Sequence, residues 1–160
     1  MAWNKFKKKY LILTALILVV IFLLFLTKIV GIIELDANKI KYKNIEIKGK
    51  NIVSEVVFKP IDLYRGLSNR ESLCADCGML FVFPDKQKRT FVMRNMKFSL
   101  DIVFIDDNKI INIASDLPPE GANPSNDYAS SDIANYVLEL PGGFCQKNNI
   151  IAGDTIKINN

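Results

Sequence analysis

Apolar and polar residues alternate in two different ways along this chain. Residues Leu11 to Leu26 form one apolar run broken only by Thr14. As a helix that run is roughly 24 Å long, and extension through Ile33 brings it to roughly 34 Å. A hydrocarbon bilayer core is about 30 Å thick, so residues 11–33 are predicted to be a transmembrane helix. From Ile45 onward the apolar residues come instead in short runs rich in Ile, Val and Phe, separated by Gly, Pro, Asn and Asp. Such runs predict strands: Ile45–Lys48, Ile52–Phe58, Met79–Phe83, Arg89–Met93, Leu100–Ile105, Lys109–Ala114, Asn135–Leu140 and Thr155–Ile158. Lys48-Gly49-Lys50-Asn51 and Asp106-Asp107-Asn108 suit hairpin turns. A helix is expected after Pro60, with Asp62 in its first turn, Leu63, Leu67 and Leu73 as apolar positions, and Gly66 as a weak point. A shorter helical turn is expected at Phe144–Asn148. Ser115–Ser131 carries Pro118, Pro119, Gly121 and Pro124 and is read as a long loop without regular structure.

These elements imply a mainly β domain, a single antiparallel β-sandwich or jelly-roll-like barrel with one or two short helices, behind one transmembrane helix. The expected organisation is a basic tail at 1–10, the span at 11–33, a polar stalk at 34–44, and one domain at 45–160. Lys5, Lys7, Lys8 and Lys9 precede the span, with no acid among the first ten residues. The positive-inside rule then puts the N-terminus in the cytoplasm and the domain outside it, in a single-pass signal-anchor topology. A cleaved signal peptide is the rival reading, but no small-x-small cleavage site follows the run.

Charge changes the picture once it is divided. The chain holds 21 Lys and Arg and 17 Asp and Glu, and five of the lysines belong to the anchor. The remainder is nearly neutral, so the basic character belongs to the anchor and argues against a nucleic-acid partner. The partners expected are the lipid bilayer, through the N-terminal helix, and a ligand or protein at the cell surface. No cofactor is implied. With no histidine in the chain, Ser-His-Asp and Cys-His catalysis and His-ligated metals are excluded. Asp116, Glu120, Asn123, Asn126 and Asp127 supply oxygens in the long loop, but their spacing does not match an EF-hand.

Several blocks resemble one family. They are Arg65-Gly66-Leu67 with Arg70, Gly78-Met79-Leu80-Phe81-Val82-Phe83, Phe91-Val92-Met93-Arg94-Asn95-Met96, Ser99 to Ile105, Tyr136-Val137-Leu138-Glu139-Leu140 with Gly143, and Gly153-Asp154. In order and spacing they resemble the domain-of-unknown-function family DUF192, over roughly Ile47 to Ile158. The resemblance implies a compact, mostly β, jelly-roll-like domain, often behind a signal or anchor, and no agreed activity. Family members usually carry Trp, Lys and Thr where this chain has Val92, Arg94 and Met96, Pro at Ser99, and often cysteines in the long loop. If the Trp or the loop cysteines serve an activity in relatives, this chain lacks the residues for it.

The polar members of the blocks, Arg65, Arg70, Arg94, Asn95 and Asp101, form a candidate ligand-binding cluster. The competing structural reading is a network in which Asp101 pairs with one of the three arginines, because charges beside so much apolar sequence need partners. Tyr136 and Glu139 read as strand residues of alternating exposure. Cys74-Ala75-Asp76-Cys77 has CxxC spacing, with Cys145 left over. A local or Cys145-linked disulfide, free thiols and a redox pair are all open. A zinc site would lack its fourth thiolate. The favoured function is a membrane-anchored extracytoplasmic binding or accessory module. The alternative is an enzyme, either a carboxylate-based hydrolase or a thiol redox protein using Cys74 and Cys77.

Overall fold

The computed structural model describes Thr14, residues 16–28 and residues 41–159. The chain divides into two units, Met1–Lys39 and Ile40–Asn160. In the first, residues 16–28 are helical, and Leu16 to Leu26 expose their side chains on every side, from 39% at Leu26 to 66% at Leu18. Among the described residues no helix is long and apolar enough to cross a membrane. Of the segment expected to span it, residues 11–13, 15 and 29–33 lie outside the described residues, as do the basic tail and residues 34–40 of the stalk.

The second unit is built on a seven-stranded sheet in the order β6-β5-β8-β3-β2-β1-β9. Its strands are β1 (Lys41–Ile47), β2 (Lys50–Val57), β3 (Cys77–Gln87), β5 (Leu100–Asp106), β6 (Lys109–Leu117), β8 (Ala134–Pro141) and β9 (Ile156–Asn159). A two-stranded ribbon pairs β4 (Thr90–Phe91) with β7 (Tyr128–Ala129). Both expected hairpins are present, turning through Lys48 and Gly49 and through Asp107 with positive φ.

Three features depart from the sequence expectation. The sheet is mixed rather than antiparallel, because β2 and β3 run parallel. A parallel pair needs a crossover, and residues 58–76, with the helix Pro60–Arg65, supply it. There is one curled sheet rather than two stacked ones. Its edges meet at a bridge between Lys109 and Thr155, reinforced where the Ile110 N–H donates to Asp154 O (2.9 Å) and the Ile156 N–H to Asn108 O (2.8 Å). Finally, β1 begins at Lys41, inside the expected stalk, and the long loop yields β7 and the end of β6.

Strand alternation sorts the apolar residues into two cores, one on each face of the sheet. Leu80, Val103, Ile105, Leu138 and Leu140 join Ile45, Ile47 and Ile52 on one face, closed by Phe144 of the short helix Phe144–Lys147. Met79, Phe81, Leu100, Ile102, Phe104 and Val137 face the other way, where Leu67, Met93 and Met96 of the connecting segments cover them. The middle of the central strands is buried on both sides, which decides the fate of Asp101 and Glu139.

Candidate functional site

The expected polar cluster does not form as one group. Asp101 lies between Leu100 and Ile102, which face the second core, so its own side chain points to the first. There it is fully buried and meets no arginine. Its Oδ1 accepts from the N–H groups of Asp116 (2.7 Å) and Gly143 (2.9 Å), and its Oδ2 from that of Cys145 (2.7 Å). The expected Asp101–arginine pair is therefore corrected. The carboxylate is satisfied by backbone donors of β6 and of the turn into the helix Phe144–Lys147. Gly142 belongs to the same turn, where a Cβ would fall 2.1 Å from Ser99 Oγ. The neighbouring Cys145 thiol is buried and free, and burial first, then the Asp101 charge, pushes its pKa up.

The arginines are on the opposite face. Arg70 donates to Glu55 through both terminal nitrogens (2.8 and 3.0 Å). Arg94 stacks over the Tyr64 ring at 4.1 Å and donates to Tyr64 O at 3.0 Å. Asn95 serves the backbone: it takes a positive φ of 53°, donates its N–H to Gly121 O and accepts from Asn69 N–H. Arg65, at the end of the helix Pro60–Arg65, is exposed. The helix stops there because Gly66 takes φ 50° and ψ −134°, and its N–H closes on Asp62 O, a backbone state that favours glycine.

Arg65 and Arg94 border a pocket of about 570 Å³. Its apolar wall includes Leu63, Phe81, Phe83, Phe91 and Met96. Phe91 meets Phe81 edge-on at 4.9 Å and Phe83 at 6.5 Å. Arg89 holds the rim in place: its guanidinium lies 3.9 Å from the Phe83 ring centroid and donates to Asp85 Oδ1 (2.7 Å) and Ala134 O (3.1 Å).

Glu139 reaches this pocket from β8. It sits opposite Met79 of β3 and Ile102 of β5 and is only 5% exposed, not the surface residue its strand pattern suggested. Its Oε2 has no hydrogen-bond partner among the described residues, and the ideal Cβ position at Gly66 is 3.7 Å from that atom. Burial pushes its pKa up to about 8, with Arg70 pulling weakly the other way. At neutral pH Glu139 is therefore largely protonated and can donate a hydrogen bond. One signal in the sequence pointed to it. An acid inside the unbroken run Tyr136 to Pro141 marks a strand covered on both faces. Glu55 and Arg89 were also missed, and their surroundings in sequence carry no comparable mark.

Cys74 and Cys77 are joined in a disulfide and Cys145 is free, so the pairing is local rather than linked to Cys145. The bond closes a turn in which the Cys77 N–H donates to Cys74 O (3.1 Å), just before β3. In the long loop, Glu120 accepts from Ser125 N–H and from the Asn126 side chain, so its oxygens are engaged in ordering the loop. Among the described residues no group of three or more His, Cys, Asp or Glu could hold a metal ion.

The sequence pattern of the DUF192 family, described as an uncharacterized ACR, matches residues 43–158. Two solved structures are similar. One, from Sinorhizobium meliloti, is described as a putative transcription regulator; it is 25% identical, aligns over 75% of this chain and 95% of its own, and has a TM-score of 0.69. The other, a protein of unknown function from Novosphingobium aromaticivorans, is 27% identical, aligns over 74% of this chain and 84% of its own, and has a TM-score of 0.65. No curated protein matches.

Proposed function

This chain belongs to the DUF192 family, and from that premise we propose that it is a membrane-anchored, extracytoplasmic binding or accessory module that holds a small ligand in the pocket beneath the helix Pro60–Arg65. The observation that carries the reading is Glu139. A buried carboxyl group with an unpartnered oxygen, set in the wall of an aromatic pocket, costs stability in the empty protein. A ligand able to bond with it would offset that cost. Pockets of this size with few polar groups among apolar walls are the usual form of a small-molecule site. The anchor rests on the apolar run at 11–26 and the lysines before it, and on the outward apolar side chains of residues 16–26. The same lysines support an external domain, and a single-pass attachment would hold the pocket at the cell surface.

Native mass spectrometry of the purified full chain tests the pocket. A co-purifying small molecule should be present on the wild type and lost or much reduced on Phe91→Ala, which removes one of the aromatic walls. Equal occupancy of the two proteins would overturn the assignment. For the topology, protease added to intact cells should remove the domain. Protection until the membrane is opened would reverse the orientation.

The enzyme alternative is weaker on both branches. A carboxylate hydrolase needs a free acid and base, but the Asp101 oxygens are occupied and Glu139 is the single acid of the pocket lining. The redox branch has one point in favour, the exposed sulfur-bearing residue Cys74 in a bonded pair. Against it, no Lys or Arg lies between Glu71 and Pro84 to stabilise a thiolate, and Asp76 sits between the two cysteines.

A further inference from the structure

We infer that the pocket takes an amphiphilic anion: a single carboxylate- or phosphate-like group carried on a flat apolar body. The inference rests on the pocket being a binding site and adds the chemistry of what it binds. The lining holds four cations, Arg65, Lys88, Arg89 and Arg94, against one acid, Glu139. Arg89 is compensated by Asp85. Arg94 bonds to a neutral carbonyl and stacks on a neutral ring. Arg65 and Lys88 are exposed and have no ion pair or hydrogen-bond partner among the described residues. Three positive charges at one mouth therefore lack a counter-charge. Their field is not cancelled from below, because the buried Glu139 is held largely neutral.

The apolar part of the ligand follows from the walls. Phe91 stands at near-right angles to both Phe81 and Phe83, an arrangement that accepts a planar hydrocarbon body at T-shaped or offset contact. Glu139 adds one hydrogen-bonding group within the same lining. A cation is disfavoured by like charge at the mouth. A compact, fully hydrated anion such as free sulfate would leave the aromatic walls unfilled. Arginine forks suit an oxyanion with two adjacent oxygens.

Three probes of one shape test the assignment: 2-naphthoate, 2-naphthamide and 2-naphthylmethylammonium. They are titrated by calorimetry into the full chain held in lipid nanodiscs of uncharged lipid, with empty nanodiscs as the blank. Naphthoate should bind at least tenfold more tightly than the amide, and the ammonium weakest. In the variant Arg65→Gln with Lys88→Gln, two exposed substitutions that leave the core untouched, the preference for naphthoate over the amide should shrink to what Arg94 alone supplies. Binding of the amide should stay as it was. Equal binding of all three probes by the wild type would overturn the anion assignment and leave the pocket as a binding site. Failure of all three to bind, or undiminished binding to Phe91→Ala, would overturn both. An anion preference undiminished in the double variant would remove Arg65 and Lys88 from the recognition and refute the inference as drawn.

Discussion

Replacing Glu139 by glutamine should change the way stability responds to pH. The side chain is buried, and its pKa rises from the ordinary 4.5 to about 8 because burial disfavours the charged form. Between those two values the unfolded chain has released this proton while the folded chain keeps it. Each step up in pH therefore favours unfolding. Stability is unaffected by this group below pH 4.5, falls as pH rises, and levels off above about 8. At about 1.4 kcal/mol per pH unit the whole loss is on the order of 5 kcal/mol. Glutamine occupies similar space and does not titrate. The variant should match the wild type near pH 4 and exceed it by roughly 3 kcal/mol at pH 7, less whatever desolvating the amide costs. The assay is urea denaturation of the full chain in detergent, wild type and variant, at steps from pH 4.5 to 8.5. Other titrating groups cancel in the difference. Two parallel stability curves would mean that Glu139 ionises as freely in the folded state as in the unfolded chain, which burial without a partner forbids.

Asp101→Asn should lower the melting temperature, by about 3 kcal/mol of stability, because an amide cannot accept all three backbone N–H bonds as the carboxylate does; an unchanged melting curve would contradict the geometry of the turn. Gly66→Ala should cost about 1–3 kcal/mol, since φ 50° with ψ −134° is strained for alanine and the new Cβ would press on Phe81 at 3.3 Å; a stability equal to wild type would show that the loop shifts freely. The Cys74→Ser, Cys77→Ser double variant should match the wild type in an insulin-reduction assay at background rate, and turnover that the variant loses would promote the redox reading to first place.

The hairpins, the helix start at Pro60 and the short turn at Phe144 were legible because each depends on neighbours in sequence: Gly49 and Asp107 for positive φ, Pro60 and Asp62 for a first turn. The parallel pairing of β2 with β3 was not, because it depends on where residues 58–76 return, and no local preference encodes that. The site was half legible. Arg65 and Arg94 do share a pocket, yet Asp101 was assigned to the wrong face of the sheet. Counting parity along Leu100-Asp101-Ile102 would have separated it from the arginines once one of its neighbours was placed. Glu139 was overlooked because alternation is read as exposure when a strand is assumed to have a wet side, and β8 has none. The pairing of Arg70 with Glu55 joins two segments through tertiary packing alone, beyond what spacing reveals.

The pocket wall comes from three stretches distant in sequence: the crossover around Leu63 to Ser68, the segment Phe81 to Met96, and Glu139 near the end of β8. None of them can form it alone, so the cavity does not exist until β8 has inserted between β3 and β5. A molecule bound there would touch no locally stable subunit, and it would bind the fully assembled sheet in preference to any partly folded state. Occupancy at a hundred times Kd would then add about 2.7 kcal/mol against global unfolding. It would slow amide exchange across all three stretches together. Such a protein would lengthen its lifetime against proteases in proportion to its cargo, so that its abundance would record how much ligand its surroundings hold.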